Sequence, residues 1–164
     1  MSPTFVMTSA WWLEAAPQAS WQLIADAPGW PTWWRSIQEV CSVRAGVEEL
    51  GRTPIWRALS GLRLSLRVRR SVAQPCDLIE WQIHGDIRAR ATWVLASARP
   101  GGCDVISRWE FTLSPAGSLW LHTITGMLLE RSHFRRMRAC ARDMGAALGC
   151  RSTRLREWSC RSRP

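Results

Sequence analysis

At 164 residues the chain can bury a core of its own as one domain, and its six cysteines, at 41, 76, 103, 140, 150 and 160, show no CxxC and no clustered histidine. That pattern speaks against a metal site, a redox pair or a disulfide framework, and no cofactor is expected. The net charge of +9 is unevenly placed, with 12 Arg against 11 acids in residues 1–130 and 10 Arg against 2 in residues 131–164, so the charge belongs to a helix face and a tail and nucleic acid is disfavoured as a partner.

From Phe5 to Leu13 the odd positions Phe5, Met7, Trp11 and Leu13 carry the apolar bulk, which predicts a half-buried strand, not a secretion leader. Pro17 suits the first turn of a short helix with Trp21 and Ile24 on one face, and "DAPGWP" stops it. Pro31 opens a second short helix through Trp33 and Trp34. Strands follow at "IQEVCSV" and "TPIWRAL", with a turn at "RAGVEELG" between them. In "LRLSLRVRRSV" the even positions Leu62, Leu64, Leu66 and Val68 face inward, and Arg63, Arg67 and Arg69 face outward. In "LIEWQIHGDIRARATWVL" the inward set is Ile79, Trp81, Ile83, Ile87, Ala89, Ala91, Trp93 and Leu95. After the turn "ARPGGCD" it continues with Val105, Trp109, Phe111 and Leu113. Six or seven strands joined by tight turns form an antiparallel meander with one oily face.

After "SPAGS" the period changes. A helix is expected from about Leu119 to Gly149, with His133, Met137, Cys140, Met144 and Leu148 on one face and Arg131, Arg135, Arg138 and Arg142 on the other. Residues 151–164 read as a basic, disordered tail with Trp158 its one sticky residue. The chain thus divides into a ligand-binding domain over 1–150 and a tail. Nothing approaches the ~20 apolar residues that span a bilayer, and a cytoplasmic protein is expected. The oligomeric state stays open, with a homodimer one option. One geometry fits this order of elements: an α+β fold whose curved sheet wraps a single long C-terminal helix. A helix about 10 Å wide is narrower than such a sheet, so the expectation is a hollow between them.

The order of elements, "WPTWWRS" after the first helix, "HGDIRARATWVL" late in the sheet, a strand carrying Trp109, and "SHFRRM" on the last helix resemble the SRPBCC or START-like superfamily. Within it they are most similar to the small bacterial proteins labelled polyketide cyclase/dehydrase or lipid-transport-like. The resemblance covers about residues 5 to 148 and implies the helix-grip fold. It matches Trp30, Pro31, Trp33 and Trp34 to the family's tryptophan-rich connection, and Gly85 and Asp86 to its Gly-Asp turn. Trp93 and Trp109 match its strand tryptophans, and His133 with Met137 its helix motif. The chain departs from that pattern at Ala89 and Ala91, where relatives tend to have glycines, and at Ser132, where they tend to have Asn.

The expected ligand-binding residues are Trp33, Trp34, Trp56, Trp81, Trp93, Trp109, His133 and Met137. Core packing and ligand contact both remain open for the rings, because pockets are themselves mostly apolar. For His133 the alternatives are a hydrogen-bonded residue at the helix–sheet seam and a ligand-orienting or acid/base group, with Asp86, Arg108 or His84 as partners. No nucleophile constellation, paired-carboxylate site or phosphate loop is visible. Three functions follow: binding of a small hydrophobic or aromatic molecule, polyketide-like or lipid-like; an aromatase/cyclase or dehydratase acting on a poly-β-ketone; and an electrostatic interaction protein using the arginine face.

Overall fold

The computed structural model describes residues 4–37, 39–44, 47–51, 66–85, 88–97, 99–112 and 119–162. The first strand, β1 (Thr4–Leu13), leads into α1 (Pro17–Ala25), a 3-10 turn at Ala27–Gly29, and a one-turn helix α2 (Trp30–Trp33). Pro17 at the first helical position costs α1 no hydrogen bond. Trp30 then donates its indole N–H to the Ile24 carbonyl at 3.1 Å, fastening the tryptophan-rich connection to α1.

Strands β2 (Glu39–Arg44), β3 (Val47–Gly51), β4 (Leu66–Gln74), β5 (Leu78–Gly85), β6 (Arg88–Ala96) and β7 (Cys103–Thr112) precede the long helix α3 (Leu119–Ala147) and a last strand, β8 (Ser152–Ser162). All pair antiparallel in one sheet of order β2-β3-β4-β5-β6-β7-β1-β8. The sheet is curved, and α3, about 44 Å long at 1.5 Å per residue, lies in its concave side. Met137, Cys140, Ala141 and Met144 on the helix share one core with Trp93, Leu95 and Val105 on the sheet. This is the expected α+β helix-grip architecture.

Two expectations are corrected. Residues 47–51, read as a turn, form β3, and residues 152–162, read as a disordered tail, form β8 along the free edge of β1. The reversal after α3 explains the second. Gly149 adopts φ +64°, and Gly149 N–H and Cys150 N–H bond to the carbonyls of Ala146 (3.2 Å) and Gly145 (2.9 Å). This is a Schellman ending, in which a left-handed glycine closes the helix and turns the chain back. Gly145 makes the return close: a Cβ there would stand 2.9 Å from the Cys150 carbonyl. Arg138 then grips Glu157 with Nε 2.9 Å from Oε2, and Ser159 donates to Glu130 at 2.9 Å, so β8 is tied to α3 as well as to β1. Charged side chains on such an edge also discourage pairing with foreign strands. The strand expected at "TPIWRAL", and Trp56 within it, lie outside the described residues, as does Asp86.

Candidate functional site

The strand registers lay out the concave face row by row. One row runs Trp81–Ala91–Trp109–Met7 across β5, β6, β7 and β1, and the next runs Ile79–Trp93–Ser107–Ser9. Beyond it Leu95, Val105 and Trp11 align, and on the other side Ile83, Ala89, Phe111 and Phe5. The inward phases expected for β5, β6 and β7 are those observed.

Trp93 is the centre of a ladder of rings. Trp11 and Trp34 both stand edge-on to it, at 5.9 Å and 6.1 Å between centroids. Trp33 stacks on Trp34 at 5.6 Å, and Trp30 bridges Trp34 (5.8 Å) to Trp81 (5.0 Å). These are the offset and T-shaped geometries that the ring quadrupoles favour. All six indoles are buried. The Arg35 amide donates to the Asp143 carboxylate at 3.0 Å, which fixes the end of α2 to α3 and holds the ladder shut. The structure therefore brings Trp33, Trp34, Trp81 and Trp93 together as a packed cluster. It also adds Trp11, whose inward phase on β1 was legible without marking it as part of the cluster.

The other end of the interface is built differently. Strand β6 presents two small residues in succession, Ala89 and Ala91, flanked by Ile83 and Trp81 on β5 and by Phe111 and Trp109 on β7. With strands about 4.8 Å apart, Ile83 and Phe111 stand about 10 Å from each other at the backbone on either side of Ala89, leaving a notch floored by that alanine's methyl. Ala91 is buried, whereas Ala89 and Trp109 keep partial exposure although they point toward the helix side of interior strands.

His133 on α3 stands over β7 beside this notch, its ring 5.5 Å from Trp109, 5.4 Å from Phe111 and 5.7 Å from Phe134. Burial among these rings, reinforced by the charge of Arg136, lowers its pKa from 6.5 to about 3, so the imidazole is neutral at physiological pH. Its Nε2 is buried with no hydrogen-bond partner among the described residues. The polar partners expected for it are elsewhere: Arg108 is exposed and pairs with Glu110 at 2.9 Å, and His84 is exposed. Met137, one turn further along α3, accepts a contact from Ser107 Oγ to its sulfur at 3.7 Å, and Ser107 in turn accepts the Trp109 indole N–H at 2.9 Å. Ser107 was not singled out from the sequence, although its odd position on β7 gives it the inward phase.

Among the described residues no group of three His, Cys, Asp or Glu could hold a metal ion, and no helix is long and apolar enough to cross a membrane. A shallow groove lined by Glu14, Pro17, Ser97, Arg99 and Gly101 lies at the β6–β7 turn and contains none of the expected residues.

No family model and no curated protein matches the sequence. Solved structures do match the fold. A START superfamily protein from Mycobacterium smegmatis superposes with a TM-score of 0.69 at 10% identity, over 88% of this chain and 97% of its own. The Zhui aromatase/cyclase from Streptomyces sp. R1128 gives 0.65 at 14% identity, over 89% and 92%. The di-domain ARO/CYC StfQ from the steffimycin biosynthetic pathway gives 0.69 at 13% identity, over 89% of this chain and 51% of that one, so this chain spans about half of it. The chain therefore has the START-like fold.

Proposed function

We propose that the protein binds a small hydrophobic or aromatic molecule, polyketide-like or lipid-like, in the notch between sheet and α3. The observation that carries this reading is the partial exposure of Ala89 and Trp109 on the inward face of interior strands, where every other described inward residue of β5–β7 is buried. An apolar surface left uncovered in the middle of a fold is a favourable place for an apolar guest. The structural likeness to START proteins and aromatase/cyclases supports it. Trp81, Trp109, His133 and Met137 border the notch. Trp33, Trp34 and Trp93 support it from the packed ladder. Native mass spectrometry of freshly purified protein tests the reading: a co-purifying small molecule that leaves on denaturation is expected, and protein that carries none and takes up no added hydrophobic probe overturns it.

The aromatase/cyclase reading, with a poly-β-ketone as substrate, is favoured by the aromatase/cyclase structures among the matches. In that case a neutral His133 serves as a hydrogen-bonding group, because an imidazole held to about 3 is poorly matched to proton transfer near pH 7. A His133→Ala protein that keeps binding and loses turnover supports this second reading; unchanged turnover removes His133 from the mechanism. The cytoplasm is the proposed location, in keeping with free thiols at Cys76, Cys103, Cys140, Cys150 and Cys160.

A further inference from the structure

The excess positive charge has a definite place in the fold. Residues 119–162, which make up α3 and β8, hold nine arginines against three acids. All three acids are engaged: Glu130 accepts from Ser159 at 2.9 Å, Glu157 is held by Arg138, and Asp143 accepts the Arg35 amide at 3.0 Å. Arg131, Arg135 and Arg142 on α3, and Arg154 and Arg156 on β8, are exposed and have no acid partner among the described residues. On β6, β7 and the turn between them the charges are balanced by contrast. There Arg90, Arg99 and Arg108 stand 3.8, 3.5 and 2.9 Å from the carboxylates of Glu80, Asp104 and Glu110.

Exposed apolar side chains gather on the same two elements. Four large ones stand out among the described residues, and three of them are Met127 on α3 and Leu155 and Trp158 on β8, at 58%, 39% and 51% exposed. Strand β8 ends the sheet, so one of its edges is open. Glu157 and Ser159 turn toward α3, and Trp158 between them takes the opposite face, beside Thr8. The open edge thus has the arginines of α3 on one side and Arg156 and Trp158 on the other.

We propose that this rim docks the protein edge-on to a bilayer rich in anionic phospholipid. Lipid phosphates meet the arginines, whose flexible stems let heads from both sides of the edge reach one plane. Trp158, Leu155 and Met127 enter the boundary between headgroups and acyl chains, where an amphipathic indole is favoured. The β8 backbone stays at headgroup level, because an open strand edge is not tolerated in hydrocarbon. A nucleic acid fits the same rim less well, since it uses the arginines and one ring but leaves Met127 and Leu155 in water. Strand β8 lies beyond residues 5–148, over which the sequence resembles the START-like superfamily, and the docking role does not rest on the binding reading above.

Co-sedimentation of the intact protein with vesicles tests the proposal. Vesicles of phosphatidylcholine and phosphatidylglycerol in equal parts should bind it, phosphatidylcholine alone should not, and the affinity should fall steeply with salt. An Arg154→Gln/Arg156→Gln protein should bind roughly thirtyfold more weakly, at about 1 kcal/mol for each arginine near the surface. Arg90→Gln/Arg108→Gln, the same change of charge on the balanced strands, should bind nearly as wild type does. Phosphatidylglycerol brominated in its acyl chains should quench tryptophan fluorescence, and Trp158→Phe should remove most of that quenching. All five positions are exposed, so the melting curves of these variants should match that of wild type. Absence of binding to the anionic vesicles, an equal loss in the Arg90/Arg108 variant, or quenching that survives Trp158→Phe overturns the proposal. A single-stranded oligonucleotide that binds where the vesicles do not assigns the rim to nucleic acid and overturns it equally.

Discussion

The tryptophan ladder and the alanine notch lie on the same concave face, under the same helix, yet one is filled and the other is partly open. The difference is set by strand β6, whose inward residues are Ala89 and Ala91 at one end and Trp93 and Leu95 at the other. Where β6 offers Trp93, rings from β1 and the α2 connection converge on it. Where it offers alanine, no ring spans β6, and Trp109 and Phe111 stack on each other at 5.7 Å along β7. A sheet wider than the helix it grips must be filled by side chains wherever it is to be closed, so the size of a few residues on one central strand decides where space remains.

The sharpest break of that contrast is Trp93→Ala, which removes the ring that Trp11 and Trp34 pack against. A loss of about 3–5 kcal/mol in unfolding free energy is expected from urea denaturation, as for other large-to-small core changes. A value below about 1 kcal/mol would mean that the ladder is loosely packed after all.

Acid should act at the other end. In the unfolded chain His133 titrates near 6.5, but in the fold only near 3. Between those values the unfolded chain binds a proton that the folded chain does not. Stability is therefore complete above pH 6.5 and lost progressively as the pH falls toward 3, by an amount on the order of 4 kcal/mol. Denaturation midpoints measured from pH 7 to 4 should fall in wild type and fall less in His133→Leu. Parallel curves would show that other groups carry the acid sensitivity.

The smallest effect should separate the two alanines. Ala91 is 1% exposed and enclosed, so Ala91→Leu overpacks and is expected to cost about 1–3 kcal/mol. Ala89 is partly exposed, and Ala89→Leu should cost less than Ala91→Leu while reducing uptake of the hydrophobic probe. If the two substitutions cost the same by thermal denaturation, the notch has no open end.

Much of this architecture was written in local pattern. Alternation of period two gave the inward faces of β5, β6 and β7, and the spacing of His133, Met137, Cys140 and Met144 gave the buried stripe of α3, because each reports only which side of an element meets the core. The expected ring residues among the described set are likewise inward. Strand β8 escaped notice for a physical reason. An edge strand such as β8 is held through its backbone on one side, so Arg154, Arg156 and Trp158 can stay exposed and leave no oily alternation to read.

The sequence by itself determined the order of elements, their oily faces and the grip of a sheet on one long helix, since these follow from the period of apolar residues along a single segment. Only the tertiary structure decided which residues meet across strands: that Ala91 falls between Trp81 and Trp109, that His133 stands among rings and not beside Arg108, and that a basic end becomes an edge strand. Register is a relation between distant segments, set by turns and by packing over the whole sheet, and no local period encodes it.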